Sequence, residues 1–537
     1  MTTTPVHPTP ADPNPPQSQP GPASGPARFN RRVALAMGAG ALAVAASPQL
    51  VTAETRSSTP VDILIVGSGY AGSVAALRCA EAGLSTVVLE RGRRWTLTPD
   101  QNTFATLGQI DGRAAWLSTV YPFGGAQIAK YTGVLEAFVG RGVVCLAGAG
   151  VGGGSLVNNT VMMEPRADLF AASFGGVLDH GEMADVWYPR ARSLLKPSPI
   201  PDDVLASPAY ANAAEFIAEA RRAGLPVQKP DMAVDWDVVR GEIAGRLRPA
   251  AIAGASILGI NSGAKLSVDR TVLAAAEATG LTSVLPLHLV TSIEPSADRY
   301  LVTAQQIDTG GSVVTTKTFA ARKVLLAAGS VATTRLLVTM RAQGKLPDLT
   351  DAVGRGWGSG GDHIVLRSGY PLPSRAQGGP ANAVITAWDN TPSPVTLLNF
   401  PLGLPAVAGL IREMLAVGSP PPIGTITYTG GTAVLNWPAT DPRLLPITQA
   451  AQAVADKLDA VGPLISVNAV TSVLTSHSLG GAVLGRATTA GGELINYPGL
   501  YVIDSALIPG STGSVPPALT VTALADRIVS RALPDLS

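Results

Sequence analysis

Charge is scarce in this sequence of 537 residues: Asp, Glu, Lys and Arg together make up 14% of it, against roughly 25% in an ordinary soluble domain. The 39 cationic and 38 acidic side chains nearly cancel, leaving a formal charge of +1. A polyanion binder needs surplus cations to displace condensed counterions, so nucleic acid is excluded as a partner. Cysteine is nearly absent. Cys79 and Cys145 cannot build a disulfide framework or a four-thiolate zinc site, and no metal site is expected. Only five histidines are present, which keeps the set of candidate bases small. Beyond the N-terminal region no uninterrupted apolar run of about 18 residues occurs, so the mature protein is expected to be soluble. What is abundant is apolar side chain, at 46%, and glycine, 58 residues gathered in short motifs without a period-three repeat. That combination describes a large core under a sparingly charged surface and excludes collagen.

Residues 1 to 30 are dominated by Pro, Thr, Ala, Ser and Gly, a composition that buries too little apolar surface to offset ordering entropy. Arg28, Arg31 and Arg32 then precede the apolar stretch Val33 to Ala46 and the small-residue pattern Val51-Thr52-Ala53, the layout of an export signal. The apolar stretch is too short for a stable span. The Arg31-Arg32 pair points to the twin-arginine route, which carries proteins already folded around a cofactor. Residues 1–53 are therefore read as a disordered tail plus signal peptide and the protein as secreted; the alternative is an uncleaved anchor.

The strand pattern VDILIV, from Val61 to Val66, runs straight into Gly67-Ser68-Gly69-Tyr70-Ala71-Gly72. Gly67 permits a tight turn, Gly69 lets the backbone approach a pyrophosphate, and Gly72 lets the next helix lie against the strand. A helix is predicted from Tyr70 to Ala82, ending at Gly83. A second strand, Thr86 to Leu89, delivers Glu90, close to the roughly 20-residue spacing at which an acid accepts hydrogen bonds from a ribose 2′-hydroxyl. Strand, glycines, helix, strand and acid in this order predict dinucleotide binding, and Glu90 disfavours a phosphorylated ribose. A second glycine cluster spans Gly148 to Asn159, a third element is KVLLAAGS from Lys323 to Ser330, and a fourth is LYVID from Leu500 to Asp504. Each is equally compatible with ordinary strand-to-helix packing.

Together these segments resemble the glucose/methanol/choline (GMC) flavin oxidoreductases, and within them the bacterial cholesterol oxidases. The resemblance rests also on VGGGSLVNN at 151–159, KLSVDRTVLAAA at 265–276, LLAAGSVATTRLLV at 325–338, Ala387-Trp388-Asp389-Asn390, His477-Ser478-Leu479-Gly480-Gly481 and Tyr501 to Gly510, and covers nearly all of 60–537. It implies an α/β chain, α+β overall, with a discontinuous Rossmann-like FAD-binding lobe, doubly wound, from 59–96, 266–353 and 490–537. A sheet-plus-helices substrate lobe would come from 97–265 and 354–489. It implies FAD held non-covalently, with Gly67, Ser68, Gly69, Tyr70, Ala71, Gly72 and Glu90 around the ADP half and Val290 beside the adenine. Gly153, Gly154, Asn158 and Asn159 would lie along the flavin and its phosphates, and Asp504 near the ribityl chain.

An alcohol oxidase of this kind removes a hydroxyl proton while hydride leaves carbon for the flavin, so it needs a well-placed base. His7 lies in the tail, His180 reads as a loop residue, His288 as a satisfied strand residue, and His363 as a minor candidate. His477, beside Gly480-Gly481, matches the family's active-site histidine and is the expected catalytic residue. Two departures stand out. Leu398 falls where similar cholesterol oxidases carry a glutamate that moves a proton in double-bond isomerisation, and neighbouring Asn399 is no base. The stretch Thr512 to Ala518 lacks the family's asparagine before a proline, which is expected to alter flavin potential or oxygen reactivity. The expected reaction is oxidation of a secondary alcohol to a ketone without coupled isomerisation, with O2 or another electron acceptor completing the cycle. Trp95 to Val120 and Leu366 to Pro422 are rich in Leu, Pro, Ala and Gly, which suits a bulky apolar alcohol, a 3β-hydroxysteroid or a polyketide or terpenoid alcohol, over a sugar. Such a substrate implies transient membrane contact for uptake. The alternatives are a GMC dehydrogenase using another acceptor, or a non-redox flavoprotein acting as a lyase or binding scaffold.

Overall fold

An apolar run with branched residues is stable as a strand only if both faces are covered, and Ile63, Leu64 and Ile65 are fully buried. The computed structural model describes residues 58–369, 376–389, 392–401, 411–467 and 474–537. The expected export segment 1–53 and Asn390 lie outside the described residues. Strands β1 (Ser58–Val66), β2 (Thr86–Leu89) and β3 (Thr282–Leu285) lie side by side in parallel. Strands β4 (His288–Ser296), β5 (Arg299–Ile307) and β6 (Val313–Leu326) form an antiparallel meander. The C-terminal half of β6 joins the free edge of β1 in parallel, and Leu500–Val502 pairs in parallel with the end of β6. The sheet thus draws on three separated stretches of chain. It is mixed, which the doubly wound expectation did not include. Ala297, at φ 52°, turns the chain tightly between β4 and β5, and a turn that short can join only antiparallel neighbours.

Helix α1 (Tyr70–Glu81) follows β1 through the glycine turn, α2 (Val272–Ala278) leads into β3, and α3 (Ser330–Ala342) follows β6. The helix Ala518–Leu536 packs beside α1. Its Asp526 is fully buried and accepts bidentate hydrogen bonds from Arg78 at 2.7 and 2.8 Å and from Arg190 at 2.8 and 2.9 Å. Two guanidinium groups repay the desolvation of one carboxylate and hold its pKa below the usual range.

A second sheet runs, in spatial order, Ile465–Ser466, β7 (His363–Ser368), β10 (Arg412–Val417), β9 (Val395–Phe400), β8 (Val384–Ala387) and Val227–Gln228, all antiparallel. Alternation along its strands sorts the side chains. Val365, Leu397, Met414 and Ala416 pack under helix α4 (Leu445–Asp459), while Leu398, Leu415 and Val417 face the other way. That second face is one wall of the central cavity. Among the described residues no helix is long and apolar enough to cross a membrane, and no group of three or more His, Cys, Asp or Glu could hold a metal ion.

Candidate active site

Backbone approach decides the nucleotide end. A Cβ on Gly72 would lie 2.0 Å from the carbonyl oxygen of Gly67, and one on Gly153 would lie 2.8 Å from the Cα of Gly69. The two glycine segments therefore touch, and no larger residue fits at Gly153. Gly67 itself sits at φ 101°, a conformation that side chains other than glycine rarely adopt. Ser68 ties the cradle to the acid: its amide and hydroxyl donate to Glu90 Oε2 at 3.1 and 2.7 Å, and its Oγ accepts from Gly152 N at 3.2 Å. Glu90 Oε1 accepts from Gly92 N at 2.8 Å, and burial pushes its pKa up.

All thirteen residues predicted for the cofactor, from Gly67 to Ala71 through Glu90, Gly153, Gly154, Asn158, Asn159 and Val290 to Asp504, line or support one cavity of about 1770 Å³; Gly72 alone lies behind its wall, as the contact under the turn. A pocket for one drug-sized ligand measures about 300–1,000 Å³, so the space accommodates a dinucleotide and a substrate together. The residues fit FAD. Asn158 donates to the Tyr70 hydroxyl at 2.8 Å, while its buried Oδ1 has no partner, as a group awaiting a ligand donor would. Asn159 is committed to the scaffold, accepting from Ser256 Oγ at 2.8 Å and Ala381 N at 3.3 Å. Asp504 accepts from Gly329 N, Thr333 Oγ and Ala506 N at 2.5–2.8 Å, and burial lifts its pKa to about 6. It caps the start of α3 as well as lining the cavity. Lys265, at 2.7–2.9 Å from the carbonyls of Leu156, Asn158 and Ser256, fixes the end of the glycine loop.

At the other end His477 meets an acid that sequence reasoning did not assign. Its Nδ1 is 2.6 Å from Asp362 Oδ1, and Asp362 Oδ2 accepts from Ser476 N at 2.8 Å and Thr475 Oγ at 3.0 Å. A carboxylate there fixes the tautomer with the proton on Nδ1 and leaves Nε2 as an acceptor. That nitrogen has no hydrogen-bond partner among the described residues, and the ring lines the cavity. Gly360 makes the approach possible, since a Cβ there would lie 2.5 Å from that of His477. The signal for Asp362 was weak: the pair is 115 residues apart in sequence.

His7 lies outside the described residues; the other three histidines are occupied. His363 is buried, with its ring nitrogens at 2.9 Å from Gly361 O and from Thr448 Oγ, and His180 contacts Pro165 O at 3.3 Å. His288 lines the cavity but contacts Pro286 O at 2.8 Å and Lys317 Nζ at 3.3 Å. Leu398 faces the cavity, while Asn399 points to the opposite side and bonds Asn212 and Asn382. The wall around Leu398 holds a second acid that the sequence did not flag: Glu413, on β10, also lines the cavity.

Residues 62–112 match the FAD binding domain family. The chain is 27% identical over 552 residues to a cholesterol oxidase of Mycobacterium tuberculosis, covering 87% of this chain and 90% of that protein. It is 24% identical over 554 residues to a cholesterol oxidase of Acinetobacter baumannii, covering 89% and 95%. An uncharacterized GMC-type oxidoreductase of M. tuberculosis is 30% identical over 160 residues, covering 29% of this chain and 23% of that one. Among solved structures, pyridoxine 4-oxidase from Mesorbium loti superposes with a TM-score of 0.59 at 17% identity, and a fungal aryl-alcohol oxidase with 0.60 at 14%. Each superposition covers 88% of this chain and 99% of the other. At those identities the superpositions establish a shared fold.

Proposed function

We propose that this chain, a GMC-type, FAD-dependent oxidoreductase, oxidises a secondary alcohol on a bulky apolar substrate, a 3β-hydroxysteroid or a compound of similar shape, to the ketone. The observation that carries this reading is the His477 ring, held through Nδ1 by Asp362 and lining a largely apolar cavity that also contains the nucleotide cradle. His477 accepts the hydroxyl proton of the substrate at Nε2, and Asp362 stabilises the imidazolium that results. The rigid placement of the ring by Gly360 and Asp362 aims the substrate's carbinol carbon while the apolar walls exclude water. FAD held by the glycine cradle would supply the hydride acceptor, with O2, reduced to H2O2, as the proposed final acceptor. The cycle lacks coupled double-bond isomerisation in this reading, because Leu398, which lines the cavity, stands where similar cholesterol oxidases carry the glutamate that moves the proton. The similarity to cholesterol oxidases supports the choice of a sterol-like alcohol.

Anaerobic bleaching of the flavin against a panel of 3β-hydroxysteroids, terpenols and sugars tests the reading. Bleaching by the steroids with formation of the unconjugated ketone is expected. Bleaching by sugars alone would refute the apolar substrate, and immediate appearance of a conjugated enone would refute the loss of isomerisation. The rate of reoxidation in air separates O2 from another acceptor. Export by the twin-arginine route is proposed on Arg31-Arg32 and the apolar stretch after them; an Arg31→Lys, Arg32→Lys chain should stay in the cytoplasm.

A further inference from the structure

Five carboxylates line the cavity: Glu90, Glu136, Asp362, Asp504 and Glu413. Four of them are committed. Glu90 serves Ser68 and Gly92, Asp362 serves His477, Asp504 caps α3, and Glu136 pairs with Arg91. Glu413 has no hydrogen-bond or ion-pair partner among the described residues. Its strand neighbours are apolar: Phe400 lies opposite on β9 and Leu366 opposite on β7. The nearest cation in sequence, Arg412, points to the other face of the sheet by alternation, where Glu219 and Glu215 act on it. An acid left alone on an apolar wall costs stability in either protonation state unless something else binds it, and burial lifts the Glu413 pKa to about 7.

Position separates this acid from the chemistry. Asp362 immediately precedes β7, and Glu413 lies across from Leu366, four residues farther along, which is about 13 Å at the rise of a strand. Leu398 and its partner Leu415 occupy the ground between. Glu413 is therefore out of reach of the carbinol that His477 engages and within reach of the substrate's far end.

We propose that Glu413 is the specificity-determining residue of this cavity, hydrogen-bonding an uncharged oxygen, a carbonyl or hydroxyl, carried by the substrate at the end remote from the oxidised alcohol. The proposal rests on the alcohol-oxidation reading above and narrows its substrate class from apolar alcohols to bifunctional ones. A protonated carboxyl donates to a carbonyl and accepts from a hydroxyl, so both groups are served by one side chain.

The test uses FAD-loaded enzyme with epiandrosterone and with its deoxy analogue lacking the D-ring ketone. Anaerobic flavin bleaching gives a half-saturating concentration and a limiting rate for each. In the wild type the ketone should lower the half-saturating concentration about three- to tenfold, the range of one neutral hydrogen bond, with the limiting rates alike. Glu413→Leu should erase that difference by weakening epiandrosterone alone, and Glu413→Gln, which keeps a donor, should retain most of it. An unchanged ratio in Glu413→Leu overturns the proposal, as does tighter binding of the corresponding D-ring amine than of the ketone. If neither alcohol bleaches the flavin, the oxidation reading fails by itself. Glu413 is then judged by binding of androstanedione against the monoketone, read as perturbation of the oxidised flavin spectrum in wild type and Glu413→Leu.

Discussion

On its nucleotide side the cavity presents backbone, and on its substrate side it presents side chains. Gly67, Gly72 and Gly153 let main-chain atoms pack at distances that leave no room for a methyl group, whereas Leu398, Leu415, Phe400 and Glu413 line the cavity through side chains that can be exchanged one by one. The first wall suits a cofactor of fixed shape and the second a substrate that differs among relatives. One fold can therefore keep its flavin and change its alcohol.

The comparison breaks most sharply at Gly72. Gly72→Val should remove the FAD-loaded form, since its Cβ would meet the Gly67 carbonyl oxygen at 2.0 Å and the cost is on the order of 3–5 kcal/mol; the flavin-to-protein absorbance ratio of the purified chain measures it. Leu398→Val on the opposite wall should cost only about 1 kcal/mol and leave that ratio unchanged. Next in size, His477→Gln should slow anaerobic flavin reduction by about 10²–10⁴-fold with FAD content intact. Asp362→Asn, acting through the ring, should slow the limiting rate by about 10–100-fold while the half-saturating concentration holds. The effect at Glu413 is read against pH. Its folded pKa of about 7 lies above the ordinary value of 4.5, so the fold favours the protonated acid. That contribution is present in full below the ordinary value and is lost as pH rises through about 7, amounting to at most about 3 kcal/mol. Thermal unfolding of substrate-free wild type should fall relative to Glu413→Gln between about pH 5 and pH 8, and parallel curves would show that the acid is not desolvated.

How much of this was legible follows from the same contrast. The run from β1 to Glu90 is local in sequence and fixed by backbone rules, and the structure places Gly67 to Gly72 and Glu90 as those rules predict: strand, turn, helix, strand. His477 was found through resemblance. Asp362 was not assigned, because its link to His477 is made where the start of β7 meets residues 475–478, and nothing local in either segment records that meeting. Glu413 was missed for a related reason: whether a single charge in an apolar strand faces the cavity or helix α4 depends on register against β9 and β7, which pattern alone does not supply. The mixed sheet was unforeseen because strand patterns reveal burial more readily than direction.

The salt bridge between Arg78 and Asp526 joins residues 448 apart, and it stands for the timing of the whole nucleotide lobe. When Arg78 leaves the ribosome, its partner, the strand Leu500–Val502 and Asp504 have yet to be translated. At roughly 5–20 residues per second the apolar faces of β1 and α1 wait tens of seconds without their final cover. The nucleotide lobe is therefore completed only when the C-terminal strand and helix have been made.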